Sequence, residues 1–156
     1  WLKEHSIKVA VATSTTRRVA EGYWKQSGID QYIDASVCGD EVVNSKPDPE
    51  IFLKAASLLQ VPIAECMVAE DSINGLKAAR ASGAVSCMIP DLTPYTEELA
   101  PICDHVSPSL LDCRKIILDS QEKIINRKRK CLSVFFSLTG TFLLINFFVL
   151  LFHIHR

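Results

Sequence analysis

"MVAEDSINGLKAARASG", residues 67–83, runs from small and apolar residues into two adjacent carboxylates, Glu70 and Asp71, and then into an Ala-rich helical pattern closed by Gly83. The run Glu65 to Ala69 has the length of a buried strand, and Ile73 to Ser82 carries helical periodicity, with Gly83 in the usual place just past a helix end. Two negative charges at such a junction have two uses. Asp71 or Ser72 can cap the helix by accepting one of its first N–H groups, or the pair can hold a cation. Mg²⁺ suits the second use, because it takes oxygen ligands, usually one or two carboxylates with waters and substrate phosphate. The two roles can coexist.

Working outward, Lys8 to Thr13 ("KVAVAT") predicts a strand and Thr15 to Ser27 a helix ended by Gly28. Residues 35–42 predict a weaker strand. A well-marked helix follows, with Asp48 as N-cap, Pro49 in the first turn, and Ile51, Phe52, Ala55, Leu58 and Leu59 along one face. Residues 84–89 predict another strand. Beyond it come a short helical stretch near Glu97, a short strand at His105 and Val106, and a helix from Ser109 to Ile125. Apolar strands alternating with amphipathic helices predict an α/β domain over residues 1–125, built on a doubly wound parallel sheet.

Ligands of open parallel sheets bind beyond the carboxyl ends of the strands. That rule selects Thr13 and Ser14 after the first strand and Glu70 and Asp71 after the third, with Lys46 in the loop before the Asp48 helix. Hydroxyls and backbone N–H groups at a strand-to-helix turn suit an anionic oxygen. A nearby ammonium stabilises phosphate oxygens and developing negative charge. Taken singly, each residue has an ordinary reading: Lys46 as a solvated lysine, Thr13 as a β-former, the alanines as close packing of a helix on a sheet. Their combination and order point to half of a phosphoryl-transfer site.

These stretches resemble the haloacid dehalogenase superfamily, in particular its β-phosphoglucomutase-like phosphatases and phosphomutases, from about Ile7 to Ile117. "KVAVATST" is similar to the family's second motif, a strand ending in Ser or Thr, here Thr13. "GDEVVNSKPDPEIFLKAA" is similar to the third, whose lysine is Lys46, and "MVAEDSINGLKAARASG" to the fourth, whose acidic pair is Glu70 and Asp71. The resemblance implies a Rossmann-like core, a small phosphorylated substrate such as a sugar phosphate, and an aspartyl-phosphate mechanism with Mg²⁺ as cofactor. It implies that Thr13 and the Ser14 N–H bind the transferring phosphoryl group, that Lys46 stabilises its oxygens, and that Asp71 and Glu70 hold the metal. Covalent carboxylate intermediates and electrostatic positioning are established strategies for such transfers.

The family's first motif, DxDx(T/V), supplies both catalytic aspartates, and no DxD occurs in these 156 residues. The expectation is an incomplete core that lacks its first strand and cap domain and is inactive alone. That strand would lie in mid-sheet, so its absence predicts unpaired backbone edges, exposed apolar surface and marginal stability. The opening on Trp1 also predicts a fragment. The alternative function is a non-catalytic pseudoenzyme, or a membrane-anchored module, that keeps the phosphate pocket. A dehalogenase is a third reading, which the acidic pair and the Lys46 motif disfavour.

Composition sets the outer limits. Seventeen Lys and Arg against eighteen Asp and Glu give a formal charge of −1, which offers nucleic acid no attraction. The six cysteines form no CxxC pair, which predicts reduced thiols in a cytoplasmic protein. After the basic linker at 126–131, no Asp, Glu, Lys or Arg occurs from Cys131 to His155, and six of the seven Phe fall there. The stretch 132–154 is long enough to cross a membrane as a helix, which would leave 1–130 cytosolic and tail-anchored. A second reading, translation past the natural end of the domain, stays open. Arg17 and Arg18, just after the phosphate turn, are expected as solvated arginines that could meet a second anion.

Overall fold

The computed structural model describes residues 1–125, with side chains through Ser120, and beyond them the backbone of two strands within the apolar tail. Its elements are β1 (Ile7–Lys8), β2 (Ala10–Thr13), α1 (Arg17–Ser27), β3 (Ala35–Val37), α2 (Glu50–Leu59), β4 (Met67–Glu70), α3 (Ile73–Ser82), β5 (Val85–Met88), β6 (His105–Val106), α4 (Cys113–Ile125), β7 (Phe135–Leu138) and β8 (Leu151–Phe152). Six of the strands form one parallel sheet in the order β3-β2-β7-β4-β5-β6. All four residues of β2 and all four of β4 are buried, as expected of inner strands in a parallel sheet. The α/β reading of the sequence is therefore the fold that is found.

Local physics sets the element boundaries. The first expected strand is broken at Val9, whose N–H donates to the Asp34 carboxylate at 2.7 Å. Ile7 and Lys8 pair instead with β8, antiparallel. The strand expected over 35–42 ends at Val37, because Glu41 folds back to accept from the Cys38 N–H at 2.8 Å and closes a tight turn. α2 starts one residue later than expected, with Pro49 rather than Asp48 in the N-cap position, and Asp48 still ties down its first residue, its Oδ1 accepting from the Glu50 N–H at 2.9 Å. The buried face of α2 carries Ile51, Phe52, Ala55, Ala56 and Leu59, whereas Leu58, expected on that face, is 56 % exposed. Full burial of a side chain such as Phe52 or Ile51 contributes roughly 1.5–3 kcal/mol. The last expected helix begins at Cys113, four residues late, because Ser109 and Asp112 cap each other through Ser109 Oγ.

The middle of the sheet departs from expectation. No open edge lies between β2 and β4: β7 fills the gap, Ala12 and Glu70 both pairing with Ser137. The two inner edges that the sequence left unpaired thus find backbone partners within the chain's own apolar tail. Of the membrane helix expected over 132–154, the two described stretches, Phe135–Leu138 and Leu151–Phe152, are strands, and the rest lies outside the described residues, as do the linker at 126–131 and Cys131. Among the described residues no helix is long and apolar enough to cross a membrane.

Candidate functional site

The carboxyl ends of β2 and β4 carry the selected residues, and Lys46 joins them. Its ammonium donates to Glu70 Oε1 at 2.9 Å and to the Ala12 carbonyl at 3.4 Å, and it lies 5.2 Å from the centre of the Phe52 ring. The Lys46 and Glu70 side chains are 2 % and 0 % exposed. Lys46 is therefore a buried ion-pair partner that links two strand ends, and the solvated-lysine reading does not hold.

The adjacent carboxylates have separate lives. Glu70 points inward, and both its oxygens are engaged: Oε1 by Lys46, and Oε2 by the backbone N–H groups of Asp71 and Ser72 at 3.1 Å and the Ser72 hydroxyl at 2.9 Å. Gly75 makes room for this arrangement, since a methyl group there would stand 1.9 Å from the Glu70 carboxyl carbon. Ser72 in turn caps α3, its Oγ accepting from the Gly75 N–H at 3.1 Å. The cap is thus Ser72 rather than Asp71. Asp71 is partly exposed, but its Oδ1 is buried with no hydrogen-bond partner. Burial, and then the charge of Glu70, push the Asp71 carboxyl up to about 7.

That orphaned oxygen is the observation on which a metal can be tested. A buried carboxylate oxygen without a donor is costly unless something positive reaches it, and an oxygen-seeking Mg²⁺ fits. Among the described residues no three His, Cys, Asp or Glu side chains converge as a complete metal cage. A cation at Asp71 would therefore need phosphate oxygens and water to fill its shell.

On the β2 side, Thr13 is 1 % exposed and its hydroxyl accepts from the Thr15 N–H at 3.2 Å, which shapes the turn. Ser14 is exposed. The turn is held from behind by Gly39, whose N–H donates to the Thr15 carbonyl at 2.9 Å, and a methyl group at Gly39 would stand 2.1 Å from the Ser14 carbonyl oxygen. Arg17 is not a solvated arginine. It pairs with Glu41 through Nε at 2.8 Å and Nη2 at 2.7 Å, and also reaches Ser36 and Glu21. The guanidinium holds the Glu41 carboxyl below the usual carboxylate range.

An open cleft of about 560 Å³ lies between the two strand ends, lined by Ser14, Lys46, Ser72, Ile73, Asn74 and Thr93. Of these, Ser14 and Lys46 are expected from the sequence as ligand contacts, whereas Ile73, Asn74 and Thr93 are not. Thr93 follows the carboxyl end of β5, so the strand-end rule applied to residues 84–89 would have found it. The site brings together an open cleft with hydroxyl groups, one ammonium, the first turn of a helix and, beside it, a carboxylate oxygen with no partner.

The sequence and the fold recur in known proteins. A family model described as haloacid dehalogenase-like hydrolase matches residues 1–83. The chain is 38 % identical over 114 residues to a bifunctional riboflavin kinase/FMN phosphatase of Arabidopsis thaliana, covering 72 % of this chain and 30 % of that protein. It is 41 % identical over 83 residues to a phosphorylated carbohydrates phosphatase of Thermotoga maritima, covering 53 % of this chain and 38 % of that one. The chain thus spans well under half the length of either relative. Among solved structures, CbbY of Rhodobacter sphaeroides in complex with phosphate superposes with a TM-score of 0.62 at 31 % identity, over 68 % of this chain and 48 % of that one. The β-phosphoglucomutase of Clostridium difficile superposes with a TM-score of 0.66 at 25 % identity, over 80 % and 53 % of the two chains. By sequence motif, fold and family match alike, this chain belongs to the haloacid dehalogenase-like hydrolases, with phosphatase and phosphomutase relatives.

Proposed function

We propose that this chain forms the phosphate-handling half of a Mg²⁺-dependent phosphatase or phosphomutase acting on a small phosphorylated metabolite of the sugar phosphate class. The observation that carries the reading is the buried Lys46 ammonium, fixed by Glu70 between the carboxyl ends of β2 and β4 and lining a cleft with the hydroxyls of Ser14 and Ser72. In this reading Ser14 donates to the phosphoryl oxygens, with Thr13 holding the turn from which it does so. Lys46 offsets the charge that builds on those oxygens, and the first turn of α3 adds its partial positive charge. Asp71 Oδ1 would hold Mg²⁺, which supplies charge neutralisation at the phosphoryl group. Glu70 serves mainly to fix Lys46 and Ser72, since its own oxygens are already engaged.

The attacking carboxylate is a different matter, because no DxD occurs in these residues. We therefore propose that the chain binds phosphate and phosphate esters without turnover, and that turnover requires a nucleophile presented from elsewhere at the same strand ends. A second reading, a phosphate-binding protein with no catalysis, is favoured by β7, which already fills the slot between β2 and β4.

Calorimetric titration of the 156-residue chain with inorganic phosphate, with and without Mg²⁺, tests the pocket. Binding that strengthens with Mg²⁺ and weakens at least tenfold in Ser14→Ala and Lys46→Met is expected. Phosphate binding indifferent to both substitutions would overturn the site, and hydrolysis of p-nitrophenyl phosphate by this chain would overturn the absence of turnover.

A further inference from the structure

Two thiols meet in the core where α4 closes on the sheet. Cys87 stands in β5, level with Ala69 of β4 and His105 of β6, and Cys113 is the first residue of α4. Their Sγ atoms are 3.9 Å apart, and the two residues are 0 % and 1 % exposed. Both are free thiols, and neither lines the cleft described above. Their acidities differ. Cys113 is held below the ordinary thiol value by the Cys87 thiol, against burial, with help from the Ser107 hydroxyl. Its place at the start of a 13-residue helix favours the thiolate as well. Cys87 is pushed up by its contact with Cys113 and by burial. The pair thus combines a nucleophile with a neighbour that keeps its proton. A disulfide needs an S–S distance of about 2.05 Å, an approach of about 2 Å that a turn of one or both side chains supplies.

We propose that Cys87 and Cys113 are a site of reversible oxidation, forming a disulfide under a small uncharged peroxide such as hydrogen peroxide and stapling α4 to β5. The Cys113 thiolate attacks one peroxide oxygen: an S–O bond forms, the O–O bond breaks, and the departing hydroxide leaves as water with the proton that Cys113 gave up. The Cys87 sulfur then attacks the Cys113 sulfenic acid. The S–S bond forms, the S–O bond breaks, and the second hydroxide leaves as water with the Cys87 proton. The two thiols lose two hydrogens and two electrons, and the peroxide gains them. Entry of the oxidant requires α4 to lift. Of its residues through Ser120, only Cys113 and Ile117 are buried, and β6, which pairs with the outer edge of β5, is two exposed residues long. An element held by so few buried side chains opens locally well below the cost of global unfolding, and an uncharged oxidant incurs no ionic desolvation on the way in. The bond joins positions 26 apart, and the ring it closes contains Thr93 of the cleft lining. A ring of that size removes freedom chiefly from the unfolded chain.

Peptide mapping without reduction, on the 156-residue chain treated with dilute hydrogen peroxide and then alkylated, tests the assignment. A cross-link between the peptides carrying Cys87 and Cys113 is expected, together with a rise in melting temperature of roughly 5–15 °C, and dithiothreitol should reverse both. Cys87→Ala and Cys113→Ala should each abolish the cross-link and the rise. Cys103→Ser should keep them, because the half-buried Cys103 thiol donates instead to the His105 carbonyl at 2.7 Å. Oxidation confined to Cys103, a Cys87–Cys103 bond or a cross-link between chains overturns the assignment. So does a Cys87–Cys113 bond that leaves the melting temperature unchanged or lowers it. Should an alanine variant fail to fold, the maps and melting curves of the parent chain and of Cys103→Ser decide the matter alone.

Discussion

Two ion pairs of the domain differ in nearly every respect that matters. Arg17 and Glu41 are each about a third exposed, share two short hydrogen bonds, and tie the start of α1 to the turn after β3. Lys46 and Glu70 are buried, share one contact, and join two strand ends under the site. The exposed pair is shielded by water, so it contributes little beyond local order. The buried pair is cut off from water, so neither charge can exchange its partner for solvent, and each holds the other in place. The exposed pair orders a turn near solvent, whereas the buried pair fixes an ammonium in the lining of the cleft.

The difference can be broken most severely at Glu70. Glu70→Ala leaves a buried ammonium without its counter-charge and removes the acceptor for two N–H groups and the Ser72 hydroxyl. A loss of about 3–5 kcal/mol is expected in urea unfolding; a loss below about 1 kcal/mol would show that Lys46 is not held as described. Gly75→Ala attacks the same pair sterically, since the new methyl group collides with the Glu70 carboxyl. It should cost about 1–3 kcal/mol, and phosphate affinity should fall with it, because Lys46 is displaced as well.

The exposed pair should respond mildly. Arg17→Ala is expected to cost no more than about 1 kcal/mol at neutral pH. Its pH dependence has a definite sign. Glu41 is held below its ordinary value of 4.5 by Arg17, so its contribution is present above that value and fades as pH falls through the folded-state pKa. The gap between parent and variant should therefore close on acidification, and a gap that widens would show that Arg17 acts otherwise.

The smallest expected effect reverses direction. Asp71 is pushed up from 3.8 to about 7 by burial and by Glu70. The folded chain then keeps a proton that the unfolded chain has released, so this group's stabilisation is full below about pH 4 and is lost as pH rises towards 7. Asp71→Asn should remove that slope and stabilise the metal-free protein slightly at pH 8, by less than about 1 kcal/mol given the partial exposure of the carboxyl. The same substitution should abolish any Mg²⁺-dependent rise in melting temperature. An unchanged Mg²⁺ response would dissociate Asp71 from the metal.

How far this comparison could be read from the chain depends on how local each cause is. Thr13, Ser14, Lys46, Glu70 and Asp71 were legible because strand ends and motif order place them without knowledge of packing. The division of labour between Glu70 and Asp71 was not. Both are acidic neighbours in sequence, and only the pleat of β4, which sends Glu70 inward, and the bare backbone of Gly75 separate the brace from the orphaned oxygen. Arg17 was misjudged for the same reason, since its partner Glu41 lies 24 residues away in a turn that sequence had read as strand. Leu58 had the right period for the buried face, but the axis of α2 turns Ala56 inward in its place. The position of β7 was the least accessible, because uniform apolarity fits a membrane helix and a central parallel strand alike.

That last strand also sets a sequence of events in time. A ribosome releases β2 and β3 first, then β4, β5 and β6, and only afterwards Phe135–Leu138, which lies between the two groups. Each group can form its own ladder as it emerges, but the sheet cannot become continuous until the strand synthesised last among the six has threaded into the middle. Pairing at such sequence separations is slow, because a long loop must close before any contact rewards it. Until then the nascent chain carries two open strand edges, and the cleft, whose walls stand on opposite sides of that seam, is assembled only once Phe135–Leu138 is in place.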